Sequence, residues 1–97
     1  MPTYFILTRF TDQGIRNVTD TVKRANAFKE QAKSKGAVVK DVYWAMGEYD
    51  TINIVEAPDD TVATAVAISL AKLGNVRTQT LRAFSQTETE QLLSKVT

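Results

Sequence analysis

Neither cysteine nor histidine occurs in the 97 residues, and the two absences exclude a good deal of chemistry. Without cysteine there is no disulfide, no thiol nucleophile and no zinc knuckle. Without histidine the chain lacks the commonest general base and metal ligand, so haem, non-haem iron and Ser-His catalysis fit poorly. Only four glycines are present, and none forms the glycine-rich loop that cradles a nucleotide phosphate. The expectation is a protein with no cofactor, neither metal nor haem nor flavin. Charge of one sign is also missing: 12 basic side chains face 11 acidic ones, and the only local group is the scattered Lys33, Lys35 and Lys40. That balance offers no footprint for nucleic acid or an anionic membrane. A small neutral or weakly charged partner fits better. No apolar run approaches the roughly 20 residues that span a bilayer, and the opening residues lack the basic and apolar regions of a signal peptide. The expected location is the cytoplasm.

What is present is a clear succession of apolar periods. At 43% hydrophobic, residues 1–97 fit one compact domain, small enough that self-association would help to cover its surface. Tyr43–Glu56 holds two runs rich in β-branched and aromatic residues, joined by Gly47-Glu48-Tyr49-Asp50, which is the local chemistry of a hairpin. Before it, Thr3–Phe10 reads as a strand with apolar residues on both alternate sets, as in strands covered on both faces. Thr11-Asp12-Gln13-Gly14 breaks that strand. Ile15, Val18, Val22, Ala25, Phe28 and Ala32 then recur at helical spacing, with Thr19 or Asp20 as a cap after a short lead-in and Gly36 as a left-handed stop.

Ala37–Met46 reads as the second strand, with Val38, Val42, Trp44 and Met46 on one side and Val39, Asp41, Tyr43 and Ala45 on the other. Thr51–Ala57 is the third. Pro58-Asp59-Asp60 opens a helix whose stripe is Val62, Val66, Leu70 and Leu73, and whose alanine-rich remainder reads equally as a subunit contact or a plain surface. Val76–Phe84 forms a fourth strand. Ser85-Gln-Thr-Glu88 is a capping-box pattern that starts a short terminal helix, whose Leu92, Leu93 and Val96 need a surface to bury against. The order β-α-β-β-α-β is α+β and ferredoxin-like: a four-stranded antiparallel sheet, two helices on one face, and a C-terminal helix.

Four separated segments carry a resemblance. Tyr43-Trp-Ala-Met-Gly-Glu-Tyr-Asp50, Ile54-Val-Glu-Ala-Pro-Asp-Asp60, Thr11-Asp-Gln-Gly14 and Leu73-Gly-Asn-Val-Arg-Thr-Gln-Thr-Leu-Arg-Ala-Phe84 resemble, in order and over essentially the whole chain, the GYD-domain family, named for its Gly-x-Tyr-Asp signature. That resemblance implies a small ferredoxin-like protein of the dimeric α+β barrel group. It implies no particular activity.

The candidate site residues follow from chemistry. Tyr49 offers a phenol and Asp50 a carboxylate, which would serve as hydrogen-bond donor and general base if burial raised the carboxyl pKa. Against this, an Asp after a turn often bonds backbone N–H groups and a Tyr there often plugs the core. Trp44 and Tyr43 can stack on a planar ligand, although aromatics in a central strand more often belong to the core. Arg9, Arg77 and Arg82 lie in strands, where they would grip a carboxylate ligand or else pair with Asp50 or Glu56. Glu56, at a strand end, is open to either use. Loss of Met1 would make Pro2 a secondary amine at a strand start, a candidate base, but the rest of the chain is unlike the tautomerases.

Three functions compete: a small-molecule-binding homodimer with its pocket between sheet and partner, a cofactor-independent enzyme on an aromatic or carbonyl substrate using Asp50 and Tyr49, and a structural assembly unit. Whichever strand parity faces the helices, the other keeps large apolar groups, so a homodimer, or a larger assembly of dimers formed sheet to sheet, is expected.

Overall fold

The computed structural model describes residues 1–96. Strands β1 (Thr3–Phe10), β2 (Val38–Trp44), β3 (Thr51–Glu56) and β4 (Val76–Ala83) form one antiparallel sheet in the order β2-β3-β1-β4. Helices α2 (Thr21–Ser34) and α3 (Asp60–Ala71) pack over β2 and β4, and α4 (Gln86–Leu93) follows the last strand. This is the split-βαβ, ferredoxin-like order read from the periodicities. No helix among the described residues is long and apolar enough to cross a membrane.

The sheet resolves which parity faces the helices. Tyr4, Ile6 and Thr8 of β1 and Thr51, Asn53 and Val55 of β3 are buried, and they meet Phe28 and Ala32 of α2 and Ala63, Val66 and Ala67 of α3. On β2 a bulge at Lys40 breaks strict alternation, so Val39 pairs with Val55 and Val42 with Asn53, both on the helix side. A bulge inserts one residue and flips the parity of what precedes it. Val38, expected beside Val42, therefore shares the open side with Asp41 and Tyr43. β2 also stops at Trp44 rather than Met46, and it is an edge strand. Its two aromatics are consequently 55% (Tyr43) and 45% (Trp44) exposed instead of lying in the core.

The first helical period is interrupted. Residues Asp12–Arg16 form a short helix α1, capped by the Thr11 side chain, and a 3-10 turn at Val18–Asp20 leads into α2. Ile15 and Val18 precede α2, and Val22 lies about 120° around α2 from Phe28, so all three are exposed while Phe28 and Ala32 enter the core. Asp20 occupies the N-cap position of α2 without a side-chain bond, whereas Asp59 caps α3 through its bond from the Val62 N–H. The α3 stripe is borne out at Val62, Val66 and Leu70, while Leu73 lies past the helix end and is exposed.

The capping box at Ser85 and Glu88 starts α4 as expected. Leu92, Leu93 and Val96 are not buried by any of the described residues: all three are exposed and α4 buries no residue.

Tyr4 links the core to the start of α3, its Oη donating to Asp60 Oδ1 at 2.5 Å. This bond, then burial and the nearby carboxylate charge, hold the phenol above its ordinary pKa, with Arg82 opposing. A phenol that keeps its proton more tightly when folded stabilises the fold fully below its unfolded pKa of 10.0 and loses that contribution as pH rises through the folded value. Denaturant midpoints of wild type should therefore fall above about pH 10, and Tyr4→Phe should flatten that decline. An identical alkaline slope in both proteins would contradict the linkage.

Candidate functional site

The β2-β3 connection turns through Gly47, at φ +125, a backbone region that L side chains rarely adopt. Ala45 N–H donates to the Asp50 carbonyl and closes the loop. Asp50 then meets β1 twice: its N–H donates to the Thr8 carbonyl at 2.8 Å, and its Oδ2 accepts from the Phe10 N–H at 2.7 Å. The carboxylate thus stands where the next backbone carbonyl of β3 would stand and extends the β1-β3 ladder beyond the Thr8–Thr51 pair. This favours the structural use of Asp50 over use as a base.

Tyr49 reaches from the hairpin across the end of β1 to β4. Its hydroxyl donates to Gln79 Oε1, and the Arg9 guanidinium lies 4.9 Å from its ring centroid. Arg9 also pairs with Glu48. In the β1-β4 register Arg9 stands directly opposite Arg77, an arrangement of like charges that costs stability unless a counter-charge is near. Among the described residues Arg77 has no ion pair, while Glu48 answers only Arg9. Arg9, Tyr49, Arg77, Thr78 and Gln79 line a recess of about 210 Å3. It sits at the hairpin end of the open face, beside the apolar groups Leu7, Ile52 and Tyr43.

The other candidates lie elsewhere. Arg82 stands over the Phe84 ring at 4.4 Å and holds Glu88 of α4 at 3.1 Å. That cation and the Ser85 amide keep the Glu88 carboxyl below its usual pKa, the backbone bond contributing most. Glu56 lies 3.9 Å from Lys40 at the opposite end of the sheet. Pro2 is at that end too, its carbonyl accepting from the Ala57 N–H. Tyr43 is on the open face, but Trp44 is on the helix side, where its Nε1 donates to Thr21 Oγ1 at 3.0 Å. Trp44 belongs to the wall of a second space, between α2 and the sheet.

Of the nine candidate residues, the structure therefore brings Arg9, Tyr49 and Arg77 together and places Trp44, Arg82, and Glu56 with Pro2, at three other places. Gln79 and Glu48 were not singled out. Gln79 was within reach of sequence reasoning, because a strand places it two residues from Arg77 on the same face. Glu48 was not, since its pairing depends on where the hairpin folds.

A family model described as the GYD domain matches residues 4–93. A curated relative from Thermus thermophilus, named glutamine synthetase and cystathionine beta-lyase binding protein, is 32% identical over 86% of this chain and 88% of its own length. The crystal structure of TTHA0845, also from Thermus thermophilus, is similar at a TM-score of 0.57 and 29% identity, covering 88% of this chain and 95% of that one. A second crystal structure is similar at a TM-score of 0.60 and 26% identity, over 87% of this chain and all of the other.

Proposed function

The chain belongs to the GYD-domain family, and we propose that it is a homo-oligomeric binding protein that holds a small carboxylate between the arginine recess and a second copy. The observation that carries this reading is the convergence of Arg9, Tyr49 and Arg77 at the rim of an apolar sheet face. Among the described residues Arg77 brings a guanidinium without a counter-ion, and a carboxylate accepts its paired N–H groups bidentately. Phe5, Leu7, Ile52, Ile54 and Leu81 supply the face on which a second sheet would pack. The protruding α4, with its uncovered leucines, supplies a segment that would reach across to the other subunit. Such a two-fold contact is the dimeric α+β barrel, and it closes the recess on its open side. A cytoplasmic location suits this role.

The Thermus thermophilus relative is named for binding two enzymes, and the exposed apolar side of α4 favours a second reading, in which this chain also holds a protein partner. Catalysis through Asp50 draws no support from a carboxylate that serves as a ladder rung.

Light scattering at micromolar concentration should give a multiple of the 10.8 kDa chain mass. Ile54→Glu, which places a charge in the centre of the open face, should return the mass to one chain with the circular dichroism intact. Benzoate should bind the wild type, and Arg77→Gln should weaken it about tenfold or more, as loss of a charge-assisted bond implies. A wild-type mass of 10.8 kDa would overturn the assembly, and unchanged benzoate binding in Arg77→Gln would overturn the site.

A further inference from the structure

The sheet has two edges, β2 and β4, and they differ. On β2 the bulge at Lys40 breaks the register with β3, and Lys40 and Asp41 put a charge of each sign beside it. A bulge and charged side chains keep an edge strand from pairing with another chain. The centre of β4 has neither guard. Its residues Val76–Ala83 keep one unbroken register with β1, none of them is proline, and the middle run Thr78-Gln-Thr-Leu81 carries no charge.

The bonds of β1 show which groups of β4 face outward. The Thr8 carbonyl and the Phe10 N–H both bond to Asp50, and the carbonyl of Pro2, just before β1, accepts from the Ala57 N–H. The even-numbered residues of β1 therefore turn their backbone toward β3. Its odd-numbered residues bond β4, through the pairs Thr3–Ala83, Phe5–Leu81, Leu7–Gln79 and Arg9–Arg77. Val76, Thr78, Thr80 and Arg82 are left with their N–H and C=O groups pointing outward in the plane of the sheet. Among the described residues no other backbone group bonds to them, and Thr80 is exposed.

We propose that the outer edge of β4 takes up an extended acidic segment of a partner protein as a fifth strand of the sheet. Main-chain bonds to Thr78 and Thr80 supply affinity, and a carboxylate of the added strand, set opposite Arg77, supplies the choice of partner. Charge decides against a second copy at this edge. β4 holds Arg77 and Arg82 and no acid; Glu88 answers Arg82, while Arg77 has no ion pair among the described residues. A second β4 laid alongside would add like charge, and the β2 edge of a second copy is interrupted by its own bulge. An acidic strand meets neither obstacle. Arg77 and Thr78 also line the recess, so the proposal rests on reading that recess as a carboxylate site. The edge adds what a free carboxylate lacks, bonds in the plane of the sheet.

Calorimetric titration of the full chain with the peptide acetyl-Glu-Val-Thr-Val-Thr-Val-Glu-amide, which offers an acid to Arg77 whichever way it runs, should show saturable binding. With glutamine in place of both acids the peptide should bind about tenfold or more weakly, as loss of a charge-assisted bond implies, and Arg77→Gln should remove that difference. The acidic peptide N-methylated at every residue should not bind. Thr80→Pro takes away one outward N–H and leaves the ladder to β1 whole. It should keep the circular dichroism, benzoate binding and light-scattering mass of the wild type while weakening the acidic peptide about tenfold or more. The N-methylated peptide on the wild type carries the same test if Thr80→Pro fails to fold. The proposal is overturned if the acidic peptide gives no saturable binding at millimolar concentration, if its N-methylated form binds equally, or if Thr80→Pro leaves peptide binding unchanged. A lower mass in Thr80→Pro would overturn it too, by giving the edge to a second copy. Benzoate bound and peptide unbound overturns the edge alone, whereas neither bound overturns the recess with it.

Discussion

Gly14→Ala should destabilise the protein by about 2–3 kcal/mol, lowering its melting temperature on the order of 10 °C. Propensity alone argues the other way, since Gly14 sits inside α1 and alanine is the better helix former by about 1 kcal/mol. Packing decides the sign. A methyl group on Gly14 would stand 1.9 Å from the Asn75 carbonyl oxygen, and that atom is main chain with its own bond to the Thr11 N–H. The crowding cannot be relieved by turning a side chain. It would push α1 away from the turn before β4 and pull at the bonds that Thr11 makes to Gly74 and Gln13 makes to Leu73 and Asn75. Thermal unfolding followed by circular dichroism checks this, and a melting temperature equal to or above that of the wild type would refute the contact.

Asp50→Ala should cost roughly 1–3 kcal/mol, because it removes a charged acceptor from the half-buried Phe10 amide. Asp50→Asn should recover most of that loss, since a side-chain oxygen can still accept at the same place. This pair separates a ladder rung from a base: the rung needs an acceptor and the base needs a titrating carboxylate. Denaturant midpoints of the two variants decide the matter. Equal destabilisation by Ala and Asn, or none in either, would remove the structural role assigned to Asp50.

Both variants fall in segments that carry the family signature, and for those positions the structure gives an architectural reason. Thr11-Asp-Gln-Gly14 lies directly against Leu73-Gly-Asn75, although about sixty residues of chain separate them. The aspartate of Gly-x-Tyr-Asp joins the hairpin to β1, leaving Tyr49 as the member of that signature that faces the arginine recess.

Sequence by itself determined the order of strands and helices, the hairpin at Gly47–Asp50, the capping box at Ser85, the glycine stops, and the excess of apolar residues on both strand parities. These are local properties, set by side-chain period, by caps that bond their own neighbours and by glycines that accept positive φ. Tertiary structure alone decided the rest. The bulge at Lys40 put Val39 rather than Val38 on the core side, and edge position exposed Tyr43 and Trp44. Strand register set Arg77 opposite Arg9 while carrying Arg82 off to α4. The space on the helix side exists only where α2, α3 and the sheet meet. A one-residue shift of register moves a side chain to the other face of a sheet, and no local preference senses which residue of a distant strand will be its neighbour.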